Sequence, residues 1–313
     1  MRVLFLSKHS RVGSNIIRGK TVSKQLRRMG VKTVNVTFKQ FSLLKQYYLA
    51  RYDIFVFVKR VDLELLKLIK AKGKTTVADT IDNFDFEHEP LWSKKNVYTD
   101  YYIVNTNDHR AYLHKRFGID KTRLFVIEHH HSNIRNVSKK LDAIKVVGFI
   151  GAKEQFAYTD KLEAFCRENG IEFYISETVP STNEDAVREA MKLDCFIVNV
   201  DRNIEFKSKN IYDFVMKFKP AQKILLPFSL GIPTVLAPYS SYIDAVNEAG
   251  YDVKDFLMAE SEDELISELT RLLRFSPSEL QGLIQRQKEV AALFTLEKMC
   301  EKYKAMFKAI DRK

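Results

Sequence analysis

The stretch from Lys219 to Val235, KPAQKILLPFSLGIPTV, holds the most specific chemical pattern in the sequence. Pro220 suits the first position of a helix, so Lys219 and Lys223 would flank a helix N-terminus, where free backbone N–H groups and the helix dipole already favour a phosphate. The pattern therefore predicts a diphosphate site. In the alternative, Lys-Pro only starts a helix, Gly-x-Pro only ends it, and both lysines are solvated.

Two hydroxyls extend this pattern. Gly231 is expected to end the helix, and the chain then enters a strand at residues 234–237. The next helix begins near Ser240 and Ser241, and both side chains are further hydrogen-bond donors for an anion.

The loop after the first strand carries no known nucleotide fingerprint. Ligands of open α/β sheets bind beyond the carboxyl ends of strands, so this loop is an obvious place to search. It offers only Gly13 within SRVGSN, not G-x-G-x-x-G, and no G-x-x-x-x-G-K-[ST] occurs in the chain. These absences argue against NAD-linked oxidoreductases and P-loop NTPases.

Composition indicates a packed globular protein. At roughly 100–200 residues per domain, 313 residues correspond to two domains, and 45% hydrophobic residues suffice for a core in each. No apolar run reaches the roughly 18 residues of a membrane span, and residues 3–6 are too short for a secretory signal. Cys166, Cys195 and Cys300 form no C-x-x-C pair, so neither a disulfide framework nor a zinc site is expected, and a reducing cytoplasm is the natural compartment.

The positive charge is concentrated in the first half of the chain. The net charge is +11, yet residues 1–143 hold 28 basic against 13 acidic residues, and residues 1–52 hold 12 basic residues and no acidic one. Such asymmetry points to an anionic partner, although a merely solvated basic face is the alternative.

Strands and helices alternate along both halves, which predicts parallel sheets covered by helices on both faces. In the first half the apolar strands are expected near residues 3–7, 34–38, 54–58, 75–81, 101–104 and 124–127, with helices at 22–29, 41–50 and 63–71. In the second half the strands are expected near residues 144–150, 172–176, 195–200 and 234–237, with helices at 160–168, 184–192, 220–230, 242–248, 262–273, 278–292 and 296–310.

The domain boundary is expected in the polar, unpatterned stretch near residues 133–143, where the charge balance changes sign. We therefore predict an α/β protein with a Rossmann-like domain over residues 1–138 and a second one over residues 144–294, followed by a helical tail at 295–313.

This layout resembles a known family. The two-domain pattern, the segment VGFIG at residues 147–151 and the passage from Lys-Pro-x-x-Lys into Leu-Gly-Ile-Pro-Thr-Val are similar to glycosyltransferases of the GT-B fold, of the family 4 type. The resemblance implies two Rossmann-like domains facing each other across a cleft, with the nucleotide-sugar donor on the second domain and the acceptor on the first. It also implies that Gly151 lets a loop approach the donor, that Lys219 and Lys223 meet its phosphates, that Ser241 lies near the diphosphate, and that the last helix crosses back to the first domain.

One position departs from the family pattern. The family usually has a glutamate three residues after Lys223, where it holds the donor ribose, and this chain has Leu226. Either the ribose is held otherwise, the donor is unusual, or catalysis has been lost.

The mechanism implied by the resemblance is electrostatic and needs neither metal nor cofactor, because lysines and a helix N-terminus stabilise the leaving diphosphate. Asp79, Asp82 and Asp85 follow the fourth strand on the acceptor side, and we expect Asp82 to accept the proton of the acceptor hydroxyl; as an alternative, these aspartates cap turns.

Histidines give further candidates for the cleft. Adjacent residues of an extended segment point to opposite faces, so His129, His130 and His131 do not suit one metal ion, and we expect His129 to line the cleft. His9 and Gly13, in the first loop, are the other cleft candidates, with a solvent-facing histidine as the alternative.

The predicted function is therefore transfer of a sugar from a nucleotide-diphosphate sugar to a glycan, lipid-linked or other acceptor. The basic helix at residues 17–29 and the aromatic helix at 41–48 would lie on an anionic membrane surface, unless they only pack on their own sheet. Nucleic acid is not expected as a partner, although a non-catalytic nucleotide- or RNA-binding protein and a GT-B-like nucleotide-sugar epimerase are the rival interpretations.

Overall fold

The computed structural model describes residues 1–8, 15–81, 94–131, 137–151, 156, 160–176, 183–198, 205–206, 209–210 and 218–312. The chain divides into two compact units. Residues 1–129 and 296–313 form unit 1, and residues 130–295 form unit 2.

Unit 1 is built on a six-stranded sheet in which every neighbouring pair is parallel, in the order β2-β1-β3-β4-β5-β6. The strands are β1 (Arg2–Ser7), β2 (Lys32–Thr37), β3 (Ile54–Val58), β4 (Thr75–Asp79), β5 (Tyr101–Val104) and β6 (Leu124–Val126). Nearly every residue of β1 and all of β3 are buried, as the continuous apolar runs in the sequence predict for a sheet covered on both faces.

The helices of unit 1 differ from the sequence prediction in three places. They are α1 (Val22–Arg28), α2 (Phe38–Leu43), α3 (Lys45–Arg51), α4 (Leu63–Ala71) and α5 (Asn107–Phe117). The single helix predicted over residues 41–50 is wrong, since the chain breaks at Leu44 into α2 and α3. A π-helix at Asn15–Thr21 precedes α1, and α5 was not predicted.

The last helix, α12 (Leu296–Asp311), completes the core of unit 1. Its apolar side is buried among residues of β1, β3 and α1 in one hydrophobic cluster. Tyr303 and Phe307 both meet the ring of Phe5 edge-on, with centroids 6.0 and 6.4 Å away. The helix therefore contributes core side chains that residues 1–129 lack.

Unit 2 is built on a five-stranded parallel sheet in the order β13-β12-β9-β7-β8. Its strands are β7 (Val146–Phe149), β8 (Glu172–Ile175), β9 (Cys195–Val198), β12 (Thr234–Leu236) and β13 (Leu257–Met258), and a separate hairpin pairs β10 (Glu205–Phe206) with β11 (Lys209–Asn210). Its helices are α6 (Asp160–Glu168), α7 (Asn183–Ala190), α8 (Gln222–Leu230), α9 (Ser240–Glu248), α10 (Glu262–Leu273) and α11 (Pro277–Ala292).

All three cysteines are buried free thiols. Burial raises the pKa of Cys166 to about 11 and that of Cys300 to about 12, so these thiols stay protonated and unreactive near neutral pH. Within the described part of the chain, no helix is both long and apolar enough to span a bilayer.

Candidate functional site

The most unusual side chain of unit 2 is Lys223, in the first turn of α8. Its Nζ atom is buried and lies 4.4 Å from the centroid of the Phe149 ring, at the end of β7. It is also 3.1 Å from the point where a Cβ atom on Gly151 would stand. The fold thus brings Gly151 and Lys223, which are distant in sequence, to one place at the carboxyl edge of the sheet.

Nothing among the described residues accepts a hydrogen bond from the Lys223 ammonium. Burial lowers the pKa of this amine to about 8, because removal from water disfavours the charged form. The cation–π contact with the Phe149 ring partly stabilises the charged form. A buried cation without an anionic partner is costly, so the site suits an anion supplied from outside the chain.

The loop after β7 is held in place by Ser176, the residue that follows β8. The Gly151 N–H donates to Ser176 Oγ at 3.1 Å, and Ser176 Oγ donates back to the Gly151 carbonyl oxygen at 3.3 Å. The absence of a side chain at Gly151 leaves room for the ammonium and for the Phe149 ring, because an added Cβ would lie 3.1 Å from Lys223 Nζ and 2.7 Å from the ring.

A second group of donors lies at the N-terminus of α9. Ser240 and Ser241 form its first turn, and Tyr239 rather than a capping Ser, Thr, Asp or Asn holds the N-cap position. The hydroxyl of Ser241 is buried without a hydrogen-bond partner among the described residues. Lys219 Nζ lies 5.6 Å from the centroid of the Tyr239 ring, so Lys219 adds a positive charge beside this turn.

Both groups lie at the carboxyl edge of the same sheet. The strand β9 separates β12, which leads to α9, from β7, which leads to Gly151. Two strand spacings amount to roughly 10 Å, a separation that a nucleotide-sized ligand spans. Carboxyl edges are also where ligands of open α/β sheets bind.

The start of α8 corrects one sequence prediction. The helix begins at Gln222 with Ala221 as its N-cap, so Pro220 does not occupy the first helical position. Lys223 consequently lies one residue inside the helix, and its side chain reaches the end of β7. The end of the helix is as predicted, since Gly231 adopts the left-handed conformation with φ 73°.

In unit 1, the candidates His9, Gly13 and Asp82 lie outside the described residues, as does Asp85. Asp79 lies within the described residues and is fully buried, so it cannot act as the base that deprotonates an acceptor. Its carboxylate accepts hydrogen bonds from Arg18 Nε at 2.8 Å and Nη2 at 3.0 Å, and from the Tyr303 hydroxyl at 3.2 Å. Asp79 therefore has a structural role.

The three consecutive histidines are all buried. His129 is the last residue of the first segment of unit 1, and His130 and His131 begin unit 2. Among the described residues, no group of three His, Cys, Asp or Glu side chains has the arrangement of a metal site.

Sequence reasoning missed Phe149 and Arg18. In the sequence, Phe149 has the pattern of an ordinary core residue of an apolar strand. Only its distance to Lys223 shows that its ring also contacts the ammonium. Arg18 lies in a basic segment typical of a solvated surface, yet it is 1% exposed, and its partner Asp79 lies 61 residues further along the chain. No local pattern marks either residue.

Comparison with known proteins identifies the fold. No protein-family model matches the sequence, and no curated protein matches it either. The structure is similar to Anabaena HepE, solved in complex with UDP (TM-score 0.62, 11% identity, 99% of this chain and 100% of that chain), and to a glycosyltransferase from Rickettsia africae (0.64, 12%, 99% and 98%). It is also similar to sucrose-phosphate synthase from Thermosynechococcus elongatus (0.63, 10%, 100% of both chains). The chain therefore has the GT-B fold, and the family 4 type stays a prediction.

Proposed function

We propose that this chain is a glycosyltransferase that takes a sugar from a nucleotide-diphosphate sugar and binds the diphosphate in unit 2. The observation that carries the proposal is the buried ammonium of Lys223 beside Gly151, which has no hydrogen-bond partner within the part of the chain that the structure describes. Structures with the same fold support it, since HepE was solved with UDP and with UDP-glucose.

Breaking the bond between a sugar and a diphosphate places negative charge on the leaving group. The Lys223 ammonium is held away from water, where its interaction with that charge is stronger than in solution. Lys219, the Ser241 hydroxyl and the N-terminus of α9 add positive potential and donors. These groups supply the charge stabilisation that a metal ion supplies in other transferases, so the proposed reaction is metal-independent.

The acceptor is proposed to bind unit 1 and to be a glycan or a lipid-linked compound. Asp82 is proposed as the base that takes the proton of its hydroxyl group. Support comes from its place in the sequence, three residues after the carboxyl end of β4, where ligands of such sheets bind.

A panel of nucleoside diphosphates and nucleotide-sugars tests the donor site by thermal shift. We expect one nucleotide to raise the Tm of the wild type, and the Lys223→Ala variant to lose that shift. The control is Lys254→Ala, which removes an exposed lysine of unit 2. If no compound shifts the Tm, or if the Lys223→Ala variant keeps the full shift, the proposed assignment of the donor site is wrong. Product analysis with and without acceptor then separates a transferase from an epimerase.

Substitution of Gly151 by alanine is expected to weaken nucleotide binding about tenfold, because the new Cβ would lie 2.7 Å from the Phe149 ring and 3.1 Å from Lys223 Nζ. Isothermal titration measures the change in Kd. Gly282→Ala is the matched control, since its Cβ meets no heavy atom nearer than 3.5 Å. Gly282 lies inside α11, where alanine should add up to about 1 kcal/mol of stability. Equal binding by the Gly151→Ala variant would contradict the proposed role of the loop.

Peripheral attachment to an anionic membrane is also proposed. The corner between α2 and α3 exposes Leu43, Leu44 and Tyr47 at 74%, 55% and 48%, in a segment without acidic residues. Leu43→Ser combined with Leu44→Ser is expected to reduce binding to phosphatidylcholine vesicles containing phosphatidylglycerol at least fivefold in a sedimentation assay, because it removes the apolar surface that enters the lipid. Unchanged sedimentation would exclude this corner as the attachment site.

A further inference from the structure

A basic cavity lies at the amino-terminal edge of the sheet of unit 1, the opposite edge from the one where ligands of α/β sheets bind. Arg2 begins β1, Lys32 begins β2 and Asp53 directly precedes β3. The parallel register places Arg2 level with Lys32. The cavity has a volume of about 570 Å³, and a neighbouring one of about 550 Å³ shares Arg2, Lys32 and Arg51 with it.

The lining of these two cavities is strongly positive. Six cationic side chains line them, and Asp53 is the one acidic residue among the lining residues of the two cavities. The six are Arg2, Arg27, Lys32, Arg51, Lys304 and Lys308.

Asp53 offers little compensation, because its carboxylate already accepts a hydrogen bond from the Arg2 backbone N–H at 2.7 Å and lies 4.0 Å from Lys74 Nζ. Among the described residues, no hydrogen bond or ion pair engages the side chains of Arg27, Lys32, Lys304 or Lys308. These four cations are therefore available to a ligand.

Helix ends do not account for this charge. The carboxyl-terminal turns of α1, α3 and α12 contribute Arg27, Arg51 and Lys308 to the cavities, and cations commonly compensate the negative end of a helix dipole. Each helix end carries about half a negative charge, so three ends and Asp53 together offset roughly 2.5 of six positive charges. An excess of roughly 3.5 charges remains.

We propose that these two neighbouring cavities together bind an anion that carries two or more phosphate groups. The volume of each cavity is within the range of roughly 300–1,000 Å³ typical of small-molecule sites, and lysines and arginines from two strands and three helices line the pair. Lysine and arginine are the side chains that bind phosphate oxygens most strongly. The ligand is either a free polyphosphorylated compound or the headgroup of a phosphorylated lipid, which present the same chemistry.

The first test uses inorganic tripolyphosphate and isothermal titration. All proteins carry Lys223→Met, so that binding at the proposed donor site does not contribute. We expect Lys304→Ala combined with Lys308→Ala to raise the Kd at least tenfold. The matched control combines Lys24→Ala with Lys115→Ala, which removes two exposed lysines of unit 1 outside both cavities, and it should change the Kd less than twofold.

Equal weakening by both double variants, or no binding at low salt, would overturn the proposal. Neither result bears on the donor site, because that site has already been removed in every protein tested.

A second arm separates the two sources of the ligand. Sedimentation is measured with phosphatidylcholine vesicles with and without phosphatidylinositol bisphosphate, in the Leu43→Ser, Leu44→Ser background. If vesicles sediment the protein only when they contain phosphatidylinositol bisphosphate, and if Lys304→Ala with Lys308→Ala abolishes this sedimentation, the ligand is a lipid headgroup. Tripolyphosphate binding without any headgroup-dependent sedimentation identifies a free anion.

Discussion

Replacement of Lys223 by methionine is expected to make the free protein more stable and, at the same time, to abolish its stabilisation by nucleotide. Methionine replaces the lysine side chain as far as its Cε atom and removes a buried charge that has no hydrogen-bond partner among the described residues. At pH 7 we expect the free energy of unfolding to rise by about 1–3 kcal/mol, as is common when well-packed apolar groups replace buried charges. The rate of sugar transfer should fall by roughly 10²–10³, the usual cost of losing one preorganised group that stabilises transition-state charge.

Nucleotide should reverse the order of stability. A saturating ligand at about 1,000 times its Kd stabilises the wild type by about 4.1 kcal/mol, more than the expected advantage of the variant, and the variant should gain none of this. Urea denaturation with and without the preferred nucleotide measures both effects, and Lys254→Met is the control. A variant that is less stable than the wild type and still protected by nucleotide would refute the assignment.

The pH dependence of stability follows from the same amine. Burial lowers the pKa of Lys223 to about 8 from an ordinary value of 10.5. Between these two pH values the unfolded chain binds more protons than the native protein, so the contribution of this group to stability rises with pH. The penalty is fully present below pH 8 and disappears toward pH 10.5. We therefore expect the stability difference between the variant and the wild type to shrink as pH rises from 8 to 10.

The second large effect is expected for Arg18→Met. This change leaves the Asp79 carboxylate buried and removes its two hydrogen bonds from the guanidinium. It also removes the two hydrogen bonds that Arg18 Nη1 donates to the carbonyl oxygens of Ile127 and Glu128, at 2.9 and 2.8 Å. Removal of one partner from a buried ion pair costs about 3–5 kcal/mol, and we expect a loss of unfolding free energy of that size.

Two comparisons test whether the loss of stability comes from the buried, unpaired carboxylate of Asp79. Arg18→Met combined with Asp79→Leu should recover a large part of the stability, because no unpaired charge remains. Lys67→Met breaks the exposed pair between Lys67 and Glu64, whose Nζ–Oε1 distance is also 2.8 Å, and should leave the free energy of unfolding nearly unchanged. If the double variant is less stable than Arg18→Met, the pair is not acting as described.

Burial leaves the positive charge of Arg18 intact. Burial acts to lower the pKa of Arg18, whereas the neighbouring Asp79 carboxylate raises it above its ordinary value, and the net shift is upward. The guanidinium is therefore charged at every pH at which the protein folds. The hydroxyl of Tyr303, which donates to Asp79, has its pKa raised by burial and stays protonated as a donor.

The sequence predicted the strands of three or more residues well because their signal is local, whereas β10, β11 and β13, with two residues each, were not predicted. Residues 54–58 form an uninterrupted apolar run with β-branched members, and β3 has those limits in the structure. The helix α5 was missed because its sequence is largely polar, and only His109 and Leu113 of its eleven residues are buried. Its ends carried usable signals that were overlooked, since Thr106 accepts from the His109 N–H and Gly118 ends the helix in the left-handed conformation.

The candidate site depended on contacts that no local pattern contains. A helix start between two lysines was visible in the sequence, but the choice of Lys223 as the buried amine depends on β7 lying where α8 begins. The same limit explains Arg18 and Asp79, which are neighbours only because the π-helix before α1 lies against the end of β4. Long-range pairs of this kind are set by topology rather than by propensity.

The contribution of α12 to the core of unit 1 also determines the order in which the two units fold during synthesis. Residues 130–295 are continuous, so unit 2 has all its parts as soon as they leave the ribosome. Residues 1–129 emerge earlier but must wait for Tyr303 and Phe307, a delay on the order of ten seconds at 5–20 residues per second. Throughout that interval Phe5 of β1 lacks the Tyr303 and Phe307 rings that it meets in the folded protein, which makes the nascent N-terminal segment a natural client for a chaperone.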